Sequence, residues 1–206
     1  MNFEDKTPHN GAEIEDVYEL HEEPVQESAE ETTDISREMF DWAESLVTAL
    51  IILTMLFAFF VRLVGVAGES MEHTLHNNDF LIVSDLFYEP EAGDIVVMTK
   101  KTFMEDSFVK RIIATEGQTV YIDYDRGVVS VDGTELIEPY TKTLTTRRGD
   151  VRFPVTVPEG HVFVLGDNRN GSTDSRVSAC GMVDERMILG KVLFRVFPFN
   201  KIGVVK

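Results

Sequence analysis

"QTVYIDYDRGVVSVDGTELI", Gln118 to Ile137, holds runs of branched and aromatic residues separated first by Asp-Arg-Gly and then by Asp-Gly. Asp-Gly suits a two-residue hairpin because both central positions take positive φ, which glycine adopts freely and aspartate tolerates. The stretch therefore reads as consecutive antiparallel strands. Outward from it the pattern continues. "DFLIVSDLFY" (Asp79–Tyr88) and "GDIVVMT" (Gly93–Thr99) are short β-rich runs bounded by turn residues. "VRFPVTVPEGHVFVLGD" (Val151–Asp167) adds two more across Pro-Glu-Gly. Between Ala67 and Lys206 there is no long amphipathic helix and no internal repeat. The expected fold class is mainly β, an all-β domain closed or folded over on itself.

Upstream the composition changes. "LVTALIILTMLFAFFVRLVGV", Leu46 to Val66, has 21 residues and a single charge, Arg62. As a helix it would span roughly 30 Å, about one hydrocarbon core. A cleaved signal sequence begins near the N-terminus behind a basic stretch. Here 45 residues carrying 15 acidic and 2 basic side chains come first, so a retained membrane anchor is expected. Three segments follow: an acidic, disordered tail over 1–37, the anchor and its approach over 38–66, and a β-rich domain over 67–206. Within the tail, Ile14, Val17 and Leu20 could share one face of a short helix. Arg37 and Arg62 flank the anchor on opposite sides, so charge alone leaves its orientation open. A net charge of −17 without a basic patch argues against a nucleic-acid partner. Cys180 is the only cysteine, which excludes an intramolecular disulfide and a CxxC zinc site.

Three stretches could carry chemistry. "GESMEHTL" (Gly68–Leu75) places Ser70 eight residues beyond Arg62. At no more than about 3.6 Å per residue, Ser70 stays within roughly 29 Å of the anchor's end. His73, three residues on, is a nearby candidate base, but no orienting acid accompanies it. His73 and His76 lack the further ligands a metal site needs. "DSFVKRIIA" (Asp106–Ala114) sets Lys110 on the strand face shared by Phe108 and Ile112. Burial there favours the neutral amine, which can accept a serine proton. The same lysine at a surface could simply pair with Asp106. Arg111, on the opposite face, reads as an ion-pairing residue. "GDNRNGSTDSR" (Gly166–Arg176) follows the apolar run "HVFVL" and reads as a hydrogen-bonded loop network, which Asp174 and Arg176 could fix.

Taken in order, these stretches resemble bacterial type I signal peptidase, in its Gram-positive-like form with one anchor. "SMEHTL" is similar to that family's serine box, "GDIVV" and "VKRIIATEGQTV" to its next two boxes, and "GDNRNGSTDSR" to its most specific box. The resemblance covers roughly residues 40–206. It implies an all-β catalytic domain outside the cytoplasmic membrane, preceded by one transmembrane helix with a cytoplasmic N-terminus. It implies a serine endopeptidase that cleaves signal peptides from secretory preproteins after small residues, as in Ala-x-Ala. Membrane lipid and the nearby secretion translocon would be its other partners, and no cofactor or metal is implied. Ser70 would be the nucleophile, with its backbone N–H donating to the oxyanion, and Lys110 the general base. Ser172 would hydrogen-bond the Lys110 amine. Asp174 and Arg176 would form a supporting salt bridge, assisted by Asp167. Met71, Phe108 and Val109 would line the substrate site. One position departs from the family, His73, which stands where proline is usual; Gly68, where some relatives place a hydroxyl as a second oxyanion donor, follows a pattern common in Gram-positive members. The acidic tail also lies outside the family pattern.

Overall fold

The structure, a computed structural model, describes residues 27–206; the candidate helix face at Ile14, Val17 and Leu20 lies outside them. Contacts divide the chain into two units, residues 1–50 and 51–206. The first element is helix α1 (Glu27–Phe60). Its segment Ile35–Leu56 is 22 residues long and apolar enough to cross a membrane. That corresponds to roughly 33 Å of helix.

Both ends of α1 depart from expectation. Residues 27–37, expected to be disordered, are helical. "ESAEE" at its start is composed largely of strong helix formers, which continue the helical period of the apolar run. At the other end the expected anchor stops early, because Val61–Gly65 forms strand β1. A continuous apolar run suits helix and strand alike. Here strand pairing wins: β1 aligns antiparallel with β2 (Phe80–Ser84), from Val61 opposite Ser84 to Gly65 opposite Phe80.

The remaining strands are β3 (Ile95–Lys100), β4 (Met104–Ala114), β5 (Thr119–Asp123), β6 (Val128–Val131), β7 (Thr134–Glu135), β8 (Val155–Thr156), β9 (His161–Leu165), β10 (Val183–Asp184), β11 (Ile188–Phe197) and β12 (Gly203–Val204). They form a larger sheet in the order β1-β2-β11-β3-β4-β9-β10, with β12 beside β11, and a smaller sheet β7-β6-β5-β8. Every pairing is antiparallel. The mainly-β expectation holds. The Asp-Gly signal also holds: Asp132 and Gly133 take φ of 49° and 79° and turn β6 into β7.

Side-chain alternation along β4 positions the site. Val109 packs with Met71, Leu81 and Val97 in one apolar cluster. Phe108 and Ile112 pack with Val96, Met98, Val164 and Cys180 in another. A third joins the sheets, setting Val120, Ile122 and Val129 against Ile113, Phe163 and Leu165. Each such fully buried side chain stabilises the fold by about 1.5–3 kcal/mol. The two clusters flanking β4 hold its backbone rigid where Lys110 emerges. β4 is also half open. β3 pairs along it from Met104 to Arg111, whereas β9 pairs only with Arg111, Ile112 and Ala114.

Candidate active site

Ser70 sits in a tight turn after β1, closed by bonds from Thr74 N–H and Leu75 N–H to Met71 O at 3.1 and 2.8 Å. Met71 and Leu75 enter the core and anchor the turn. Lys110 extends from β4 to meet it, and its Nζ donates to Ser70 Oγ at 2.7 Å. The amine also donates to Val109 O at 3.0 Å. Lys110 is 3% exposed and lies over the Phe108 ring. Burial holds its pKa below the usual lysine value, against the opposing pull of the Asp174 carboxylate. Ser70 and Lys110, 40 residues apart, thus come together.

His73 does not join them. It is exposed, and among the described residues it makes no hydrogen bond with Ser70. Its φ is +91°, in the region where a side chain is strained and which a proline ring cannot reach. The departure at this position therefore changes the local backbone itself. Among the described residues no three His, Cys, Asp or Glu side chains cluster as a metal site.

The loop 166–176 braces the turn from outside. Asp167 is fully buried and accepts Arg111 Nε and Nη2 at 2.9 and 2.7 Å. It also accepts the Thr74 hydroxyl at 2.5 Å, which ties the serine turn to β4. Asp174 and Arg176 form the expected pair, at 2.7 and 2.9 Å through two guanidinium nitrogens. Asp174 also accepts Gly166 N–H at 3.0 Å. Arg176 reaches Arg147 O and Arg169 O, so all its nitrogens are engaged.

Ser172 departs from expectation. It is buried at 3% exposure, yet its hydroxyl makes no hydrogen bond, to Lys110 or to anything else described. The Lys110 amine bonds Val109 O instead. Glycine at 166 leaves a gap that the Ser172 Oγ occupies; a Cβ there would collide with Ser172 Oγ and with Ser70 O. The hydroxyl therefore rests against the loop backbone.

Several braces had no signal of their own. Arg169 is fully buried and donates to both Glu138 oxygens at 2.6 and 2.5 Å, and to Thr145 Oγ1 at 2.9 Å. Tyr140 stacks on the Arg111 guanidinium, 3.9 Å from its carbon to the ring centre. Asn168 contacts Glu69 and Ser70. Asn168 and Arg169 stand inside the quoted loop motif, so a residue-by-residue reading of it could have singled them out. Glu138, Thr145 and Tyr140 stand in no motif.

Beside Ser70 and Lys110 opens a cleft of about 310 Å³, between segment 64–71 and residues 104–110 of β4. Met71, Phe108 and Val109 all line it, with Gly171 and Thr173 of the loop 166–176.

The model of the family described as signal peptidase, peptidase S26, matches residues 39–197. Signal peptidase I of Bacillus licheniformis is 33% identical over 186 residues, covering 84% of this chain and 96% of its own length. Signal peptidase IB of Staphylococcus aureus (strain Mu50) is 34% identical, covering 81% and 94%. A solved signal peptidase I from Enterococcus faecalis V583 aligns at 28% identity with a TM-score of 0.43, over 50% of this chain and 97% of its own. The family model takes in most of the apolar helix, the serine turn, β4 and the loop 166–176, and the chain belongs to the signal peptidases of family S26.

Proposed function

We propose that the protein is a membrane-anchored serine endopeptidase that removes N-terminal signal peptides from secreted preproteins, with Ser70 as nucleophile and Lys110 as general base. The observation that carries this reading is the 2.7 Å contact between a buried, apolar-packed Lys110 amine and Ser70 Oγ at the wall of a cleft. In its neutral form the amine accepts the serine proton along that line while Oγ attacks the scissile carbonyl. The proton then passes to the leaving amine, and water, deprotonated by the same lysine, hydrolyses the acyl-enzyme. The Ser70 N–H donates to the oxyanion. Gly68 offers no hydroxyl as a second donor.

The preprotein binds as an extended strand against the open edge of β4, because an unpaired edge recruits peptide through main-chain hydrogen bonds. Alternate side chains then face Met71, Phe108 and Val109. These are nearly filled by their own packing, which supports pockets shallow enough for Ala-x-Ala and too shallow for large residues. Asp167, Asp174 and Arg176 hold the loop against the serine turn. The apolar helix anchors the chain, with the N-terminus cytoplasmic and residues 67–206 extracytoplasmic, beside lipid and the translocon that delivers the substrate.

Cleavage of a preprotein by detergent-solubilised Ser70→Ala and Lys110→Ala tests the reading. Both variants lose activity while remaining folded; near-normal cleavage by either overturns the assignment. A substrate with phenylalanine in place of the alanine before the cut is left uncleaved.

A further inference from the structure

A peptide unit is planar and trans, so its C=O and N–H point opposite ways from one rigid plane. The unit joining Glu69 to Ser70 carries the N–H assigned above to the oxyanion. Its carbonyl accepts Glu72 N–H at 3.1 Å within the turn and, from outside the turn, Asn168 Nδ2 at 3.0 Å. The following unit is held by the same residue, whose backbone N–H donates to Ser70 O at 3.0 Å. Both peptide planes flanking the Ser70 α-carbon are therefore tied to Asn168.

The orientation of the Asn168 amide follows from its other end. Gly171 N–H donates to Asn168 Oδ1 at 3.2 Å, so the oxygen faces Gly171 and the NH2 faces Glu69. The fit is close, since a Cβ on Gly171 would collide first with Asn168 Nδ2 and would lie 2.8 Å from Cγ and 2.9 Å from Oδ1. Asn168 stands between two buried charge pairs, Asp167 with Arg111 and Arg169 with Glu138. Its backbone is thereby held while its side chain reaches the turn.

We propose that Asn168 is a positioning residue for the oxyanion hole: by holding the Glu69 carbonyl, its side-chain amide aims the Ser70 N–H at the oxygen that becomes negative during attack. This rests on Ser70 being the nucleophile. Asn168 touches no reacting atom; it acts through the 69–70 peptide plane. Removing an oxyanion donor outright costs about 10²–10³ in kcat, and mis-aiming one costs less, on the order of 10- to 100-fold.

The test uses the full chain in detergent and a signal-peptide substrate, with Asn168→Asp and Asn168→Ala. Aspartate keeps the size and the backbone N–H but loses the side-chain donor. A peptide aldehyde reports on the hole directly. Ser70 Oγ bonds to its carbonyl carbon, the π pair moves onto oxygen, and the serine proton passes to Lys110. Expected for both variants are a kcat lower by about 10- to 100-fold, KM within about twofold, and a parallel weakening of aldehyde inhibition. Gly171→Ala, which crowds the same amide, shifts kcat and aldehyde inhibition the same way by less. Wild-type kcat in Asn168→Asp overturns the proposal. So does a loss in which KM and melting temperature move with kcat while aldehyde inhibition does not, since that marks a purely structural role. Ser70→Ala run alongside separates the failures: if it is inactive while Asn168→Asp is normal, only the positioning role falls.

Discussion

Two buried charge environments lie within one site and obey opposite rules. In the loop 166–176, Asp167, Asp174, Arg169 and Arg176 are all buried, and every one is matched by an opposite charge at hydrogen-bond distance. Beside them Lys110 is equally buried but, among the described residues, has no carboxylate within salt-bridge reach; its partners are a hydroxyl and a carbonyl. Burial disfavours an isolated charge, and pairing restores it. The loop groups, matched in charge, serve as scaffold, whereas burial pushes Lys110 toward the neutral amine, the form required of the base proposed above. Cys180 adds no countercharge, because burial pushes its thiol up to about 11. The same low-polarity surroundings thus yield rigidity where charges are matched and reactivity where one is left alone.

Lys110→Arg should break this contrast most severely. A guanidinium stays protonated at any working pH, so kcat should fall by about 10³-fold or more, read from initial rates of preprotein cleavage. The proposed base works only as the neutral amine, so wild-type activity should rise with pH through the depressed lysine pKa. His73→Ala should leave that profile unmoved.

Asp174→Asn attacks the other side of the comparison. It strands the Arg176 guanidinium in the interior and should cost about 3–5 kcal/mol in denaturant titrations. It should also sharpen the electrostatic argument. The Asp174 carboxylate pulls the Lys110 pKa upward, so its loss should move the midpoint of the pH–rate curve to lower pH. Glu138→Gln likewise strands Arg169, but the Glu138 carboxylate is 10% exposed rather than fully buried, so it should cost somewhat less, about 3 kcal/mol. Glu135→Gln breaks only the exposed Arg126–Glu135 bridge, whose partners are 61% and 54% exposed, and should cost less than about 1 kcal/mol.

What was legible in the sequence followed from local chemistry. Asp132-Gly133 announced its turn because few dipeptides accept two successive positive φ values. Lys110 announced itself by standing among Phe108 and Ile112 on a strand, where a charge is out of place. What stayed hidden depended on distant partners or on competing periods. β1 was concealed in the apolar run, since Val61 to Gly65 continue a helix as readily as they pair with β2. Glu138 gives no sign in its own neighbourhood that it holds Arg169, 31 residues away. The Ser172 hydroxyl was misjudged for a subtler reason. A motif tells which residues assemble, but the space left by Gly166 decides which way a short side chain turns.

The half-open β4 has a consequence for how much of a guest the protein can read. From Met104 to Lys110 no described strand pairs with its second edge, and at Arg111 strand β9 takes that edge over. A peptide zipped along those seven residues has roughly 23 Å of track, at about 3.3 Å per residue. β9 is a buffer at the end of the line. A guest cannot pair past it, and Lys110 stands at the last open position. For the peptide binding proposed above, the edge would act as a ruler whose zero mark lies at Ser70 and Lys110, with the place of the cut measured from where pairing must stop.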